Sequence, residues 1–150
     1  MKDDRSSKTR GYPWLYLFAA LLSLGGLADS IYLTVTHLTG ENVACVASSG
    51  CNEVLGSAYA TVGKFPLASF GALAYFLAFS CATLGSFGHP RARVLLTIVV
   101  AAMLATTLYL LYVQAYVLHA FCDYCLLSAA LTLSLSAVVA VSYLVRSTPK

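Results

Sequence analysis

The sequence predicts an all-α integral membrane protein: a four-transmembrane-helix bundle with an extracytoplasmic loop that carries a short half-helix. Composition is the first reason. Of 150 residues, 59% are hydrophobic and 10% charged, with a mean hydropathy of +0.79, whereas a soluble domain carries about 25% charged residues. Segment length is the second. A bilayer core of about 30 Å takes roughly 20 apolar residues per helix, and four segments qualify, at about 13–39, 67–87, 94–118 and 124–145. Little is left over, so residues 1–150 are expected to form a single membrane domain, with a tail at 1–12 and an outer loop at 40–66.

The third reason is where the basic residues fall. Net charge is +3, yet Lys2, Arg5, Lys8 and Arg10 precede the first span, Arg91 and Arg93 lie between the second and third, and Arg146 and Lys150 follow the fourth. Only Lys64 lies in the other two connections. Under the positive-inside rule both termini and the 88–93 turn belong in the cytoplasm. The 40–66 loop and the start of the fourth span then face outward, as expected of a multi-pass protein of the cell membrane. A cleaved signal peptide ending near Gly26-Leu27-Ala28 fits less well, because apolarity resumes through Ile31, Tyr32, Leu33 and Val35.

The tail is polar and basic, with Tyr12, Trp14 and Tyr16 suited to the lipid interface. In the first span Asp29 is the only carboxylate at depth in any span, and an intramembrane ionisable group is a functional candidate. Two readings stay open: a proton-handling group near an outward pocket, or a protonated side chain bonded to a neighbouring helix. Gly25-Gly26 permits close helix approach, and His37 reads as an interfacial anchor. The loop carries Cys45-Val46-Ala47-Ser48-Ser49-Gly50-Cys51, a C-x5-C whose small residues let two thiols meet. In an oxidising compartment this pair is expected to be a disulfide.

Asn52 to Ala60 is too short to span and apolar on one side, which suggests the half-helix, and Gly63-Lys64-Phe65-Pro66 turns the chain into the second span. Small residues there favour tight crossings, and lone Cys81 reads as packing. On the third span Tyr109, Tyr112 and Tyr116 share one face toward the outer end. Such a stripe is packing, an interfacial belt, or one wall of a pocket for a flat ring. His119-Ala120-Phe121 then turns into the fourth span, which opens on Cys122-Asp123-Tyr124-Cys125.

A C-x-x-C at a helix start closes a disulfide readily, and the helix's positive end favours a thiolate. Four of five cysteines therefore lie on the outer side, one pair in a flexible loop and one at a membrane edge. Thiol-disulfide exchange passes electrons through a mixed disulfide, and only a flexible pair reaches both a soluble partner and a membrane-embedded pair. Beyond the second pair the acceptor must dissolve in lipid, and a quinone is the common one.

C-x5-C, Ser57 six residues after its second cysteine, Phe70-Gly71 with Tyr75, and a C-x-x-C opening the last span together resemble the vitamin K epoxide reductase family and its prokaryotic homologues, over about residues 12–145. The resemblance implies a membrane thiol-quinone oxidoreductase that supports disulfide bond formation. Cys45 would form the mixed disulfide with an extracytoplasmic thioredoxin-fold (DsbA-like) partner, Cys51 would pass electrons to Cys122, and Cys125 would face the quinone, menaquinone or ubiquinone. Ser57 would hydrogen-bond near a quinone oxygen. Membrane lipid is the surrounding partner, and neither a metal nor nucleic acid is implied. Many prokaryotic members continue into a fused thioredoxin-like domain that this chain lacks, so its partner is expected to be separate. Animal members carry a tyrosine one turn after the C-x-x-C, where this chain has Ala129.

Competing readings are a vitamin K epoxide or quinone reductase running on a thiol reductant, a non-enzymatic tetraspan protein stapled by disulfides, and a four-cysteine zinc site. A DsbB-type protein shares the bundle and the chemistry, but places its cysteines differently along the chain.

Overall fold

A computed structural model describes residues 12–147. The basic residues Lys2, Arg5, Lys8 and Arg10 of the expected tail, and Lys150, lie outside the described residues. Four long helices carry the fold: α1 (Pro13–Thr39), α3 (Leu67–Ser86), α4 (Pro90–Tyr112) and α5 (Asp123–Ser147), with the short α2 (Cys51–Leu55) in the loop. Each of the four is long and apolar enough to cross a membrane, α4 together with the π-helical segment Val113–Leu118 that continues it. The chain is a multi-pass membrane protein built as a tetraspan bundle.

Local sequence sets the helix ends. Proline occupies the first turn of both α1 and α4, where its missing N–H costs nothing and its fixed φ suits the helix. Gly40 closes α1 in the left-handed conformation at φ 68°, a backbone that glycine adopts without a Cβ penalty. Because Pro90 starts α4, the turn between α3 and α4 is shorter than the expected 88–93, and Arg91 and Arg93 lie inside the helix. Arg93 is buried, its Nε–H donating to the Gly85 carbonyl at 3.1 Å and its guanidinium 5.0 Å from the centre of the Tyr16 ring. One side chain thus ties α4 to α1 and α3 at the end of the bundle where α3 turns into α4, a cation–π contact in a dry setting.

The helices form a ring in which α1 and α4 each neighbour both α3 and α5. Its core is made of small and medium side chains, among them Ala19, Ala20, Ala78, Ala82, Leu96 and Leu135. In lipid such residues let helices approach closely enough for van der Waals packing to hold them. Cys81 lies among them as a free, buried thiol. Along α1 the approach is closer at Gly26, where a Cβ would overlap the Tyr75 ring of α3, than at Gly25, where one would only touch Leu131 of α5. Tyr75 is itself held by α5: its hydroxyl donates to the Ser128 carbonyl at 2.9 Å and lies 2.8 Å from Thr132 Oγ1.

The outer loop differs in detail from a single half-helix over 52–60. Helix α2 stops at Leu55, a turn follows at Gly56 and Ser57, and Ala58–Ala60 forms a 3-10 turn. Ser57 is extended at ψ 157°, which no helix can continue through. A two-stranded antiparallel hairpin, β1 (Thr61–Val62) and β2 (Phe65–Pro66), then feeds α3, turning at Gly63 with φ 65°.

Candidate active site

All four outer cysteines gather at one end of the bundle. Val43, Cys51, Val54, Ala120 and Cys122 form a small buried cluster, against which Cys45 and Cys125 pack. Cys45 and Cys51 are joined as a disulfide, while Cys122 and Cys125 are free thiols. The loop pair therefore rests directly on the C-x-x-C pair. Cys51 and Cys122 are 1% and 0% exposed, so an exchange between these two sulfurs would occur out of bulk water.

The turn before α5 sets the position of Cys122. His119 takes a left-handed backbone at φ 49°, an uncommon conformation for a residue with a Cβ. It is held from the π-helical segment: Gln114 accepts the Ala120 N–H on its carbonyl at 3.2 Å and the Cys122 N–H on its side-chain oxygen at 3.3 Å. π-Bulges recur at functional sites, and here the bulge turns Gln114 inward, where it is buried. Cys122 precedes the first residue of α5 and its carbonyl accepts the Leu126 N–H at 2.9 Å, so Cys125 lies one turn further in.

This setting favours a Cys122 thiolate. Its thiol is lowered to about 7, chiefly by the hydrogen bond from the Cys125 thiol; burial opposes the shift, the Cys125 and Tyr124 backbone amides add to it, and the Asp123 charge works against it. Amides at a helix start and a thiol donor are the usual means of stabilising a reactive thiolate.

Beneath the cysteines lies a cavity of about 410 Å³, mostly apolar, within the size range of small-molecule sites. Cys125 lines it from α5, Asp29 and His37 from α1, Ser57 and Val54 from the loop, and Tyr75 from α3. Asp29 is 9% exposed, and its Oδ2 is buried without a hydrogen-bond partner among the described residues. A carboxyl oxygen in that condition is costly and fits a ligand with a polar atom. The cavity thus suits a largely apolar ligand that bears a polar atom.

Several expectations read differently against this geometry. Tyr109, Tyr112 and Tyr116 do not wall the cavity: they are 56%, 57% and 70% exposed, and Tyr112 and Tyr116 stack on each other with ring centres 5.1 Å apart. The α4 face that does line it runs through Val99, Met103, Thr106, Leu110 and Gln114, a helical stripe turned away from the tyrosines. A ring stripe in sequence shows only that residues share a face, and here that face is the outer one. His37, read as an anchor, borders the cavity. Ser57 borders it too, but its hydroxyl donates to the Val54 carbonyl at 2.7 Å, leaving the oxygen as an acceptor in this conformation. Ala129 is buried on the cavity wall.

Asp123 was not singled out by its sequence, yet its Oδ2 accepts the backbone N–H groups of Val46, Ala47 and Ser48 at 2.8, 2.6 and 3.2 Å. Its signal was an acidic residue between two cysteines at a helix start. Tyr75 reads in the sequence only as part of the Phe70-Gly71 pattern and Gln114 carries no signal of its own there, although Tyr75 holds α3 to α5 and Gln114 holds the turn to Cys122.

The model of the vitamin K epoxide reductase family matches residues 17–140 of this chain. Among curated proteins, the thiol-disulfide oxidoreductase LTO1 of Arabidopsis thaliana is 34% identical over 118 residues, covering 73% of this chain and 31% of that protein. The chain therefore spans about a third of the length of that relative.

Proposed function

The chain belongs to the vitamin K epoxide reductase family, and from that premise we propose that it is a membrane thiol oxidoreductase passing electrons from an extracytoplasmic thioredoxin-fold protein to a quinone. The observation that carries this reading is the convergence of both cysteine pairs in one buried cluster, with Cys125 on the wall of the cavity. A stapled tetraspan protein has no need for a free C-x-x-C beside its disulfide, and the Arabidopsis relative is named for thiol-disulfide chemistry.

The steps balance in electrons and protons. A thiolate of the reduced partner attacks Cys45, displacing Cys51; the partner's second thiol resolves that mixed disulfide, leaving the partner oxidised and the loop pair as two thiols. Cys51, as thiolate, attacks Cys122 in an oxidised C-x-x-C, and Cys125 departs with the electron pair and takes a proton. Cys45 then attacks Cys51, the loop disulfide reforms, and Cys122 leaves as thiolate. A low-pKa thiol is the better leaving group, and Cys122 at about 7 suits that role. The resulting state, loop pair oxidised and C-x-x-C reduced, is the one this structure has.

When bound, a quinone supplies a lipid-soluble acceptor of two electrons and two protons. Cys125 and Asp29 are the residues that would hold it, joined by Ser57 once its hydroxyl turns away from the Val54 carbonyl it now donates to. Asp29 would exchange a proton with the ligand at its unpartnered Oδ2, and the apolar walls would keep water from the thiols. The cysteine end faces outward and the arginine end inward, following the positive-inside bias of Arg91, Arg93 and Arg146.

The test is acid-quenched alkylation with a mass tag in membranes. Both pairs are expected to shift toward thiols when quinone is depleted and toward disulfides when it is restored. Pairs that stay oxidised under both conditions overturn the proposal. In Cys51→Ala the free Cys45 thiolate is expected to attack the disulfide of the oxidised partner and hold it as a mixed disulfide, the partner's other cysteine leaving as thiol, and absence of that adduct with oxidised partner present would remove the assignment of Cys45.

A further inference from the structure

Loop 44–48 has no secondary structure of its own, and among the described residues its hydrogen bonds outside itself all go to Phe121–Tyr124. Three successive backbone amides, of Val46, Ala47 and Ser48, point at one oxygen of Asp123 at 2.8, 2.6 and 3.2 Å. The Ser48 hydroxyl donates to the Phe121 carbonyl at 2.7 Å, and the Tyr124 hydroxyl to the Ala44 carbonyl at 3.4 Å. Gly50 presses on the Phe121 backbone, where a Cβ would come within 2.7 Å of its carbonyl oxygen. A carboxylate oxygen of Asp123 and the sulfurs of Cys45 and Cys51 all lie within 4.8 Å of one another.

We infer that Asp123 is a positioning residue that clamps the Cys45–Cys51 loop onto the C-x-x-C for exchange between the two pairs, and that the same clamp must release for Cys45 to meet an outside thiol. The inference rests on the relay proposed above and deepens it. A run of amides converging on an anion is a compact, charge-assisted site. Its partners here are main chain, so it fixes the path of the loop whatever the side chains of residues 46 and 47. Because Asp123 is covalently one residue from Cys122, whatever it holds is registered against that thiol. Orientation of this kind raises the effective concentration of one reacting group at another. Being a bond between loop and helix, the clamp also sets how long the disulfide stays folded inward.

The experiment uses the full chain in lipid nanodiscs with Cys45→Ser and Cys125→Ser, so that Cys51 and Cys122 are the outer thiols left. The Cys51–Cys122 bond is equilibrated against glutathione and its fraction read by mass tagging, which gives the effective concentration of the two thiols. Asp123→Ala is expected to lower it by about tenfold or more, with Asp123→Asn in between, because a neutral oxygen still accepts hydrogen bonds. In a second background, with Cys122→Ser and Cys125→Ser, reduction of the Cys45–Cys51 disulfide by a phosphine reductant is expected to be faster in Asp123→Ala. A slower inward exchange together with a faster outward reduction is a split that general misfolding does not produce. An effective concentration unchanged by Asp123→Ala, or outward reduction that is not accelerated, overturns the inference and leaves the relay standing. No Cys51–Cys122 bond with Asp123 intact overturns the relay and this inference together.

Discussion

The outer and inner ends of this bundle each bury a free cysteine, and they make opposite use of it. At the inner end Cys81 packs among alanines and tyrosines, with Arg93 tying three helices nearby. At the outer end Cys122 is equally buried, but it meets helix-start amides, the Cys125 thiol and a loop disulfide. Burial alone makes a thiol inert, since it disfavours the thiolate. What separates the two ends is polar groups: irregular backbone at the outer end supplies donors, whereas the regular helices at the inner end have spent theirs on themselves.

That contrast can be broken most sharply at the relay cysteines. Replacing Cys45, Cys51, Cys122 or Cys125 one at a time by alanine is expected to abolish partner oxidation, measured as partner disulfide formed in reconstituted membranes. Survival of turnover in any of the four would move the chemistry elsewhere. Gly26→Ala probes the joint between the ends. The new methyl would displace the Tyr75 ring from Ser128 and Thr132, an overpacking cost of about 1–3 kcal/mol, seen as a lower unfolding midpoint in detergent. Tyr75→Phe removes only the hydroxyl and is expected to cost less, on the order of 0.6 kcal/mol.

A smaller effect sharpens the electrostatic half of the contrast. With both loop cysteines replaced by serine, ultraviolet thiolate absorbance is expected to show Cys122 titrating near 7. Below that pH it is a thiol and a poorer leaving group; above it the thiolate predominates. Cys125→Ala removes the largest stabilising contact, so the midpoint should rise toward the ordinary thiol range. A midpoint that stays put would assign the shift to the helix start alone. The smallest change is expected from Cys81→Ala: a stability loss of about 1 kcal/mol with partner oxidation unchanged. A marked loss of turnover there would erase the distinction between the two ends.

Much of this was legible along the chain, because the signals were local. Hydropathy over about 20 residues marks a span whatever it packs against, so all four helices were readable; the bounds 13–39 match α1, whereas α4 begins at Pro90, ahead of the expected 94. The residue pattern around the cysteines led to the family. Arg93 was misread as part of a turn because the positive-inside rule counts charges without asking which helix turn holds them. The tyrosine stripe was considered for a pocket because periodicity finds a face but not what that face meets.

The sequence by itself determined the tetraspan class, the two cysteine pairs and the family, since each is written in composition, spacing or order. Only the tertiary structure decided which side chains line the cavity, that Asp29 has an oxygen there without a partner among the described residues, and that Asp123 reaches a loop more than 70 residues earlier in the chain. The physical reason is that hydropathy and helical period are properties of neighbours in sequence, whereas a carboxylate's partners are set by how helices cross. Backbone amides, which look alike at every position in sequence, become a binding site only when a fold turns three of them toward the same oxygen.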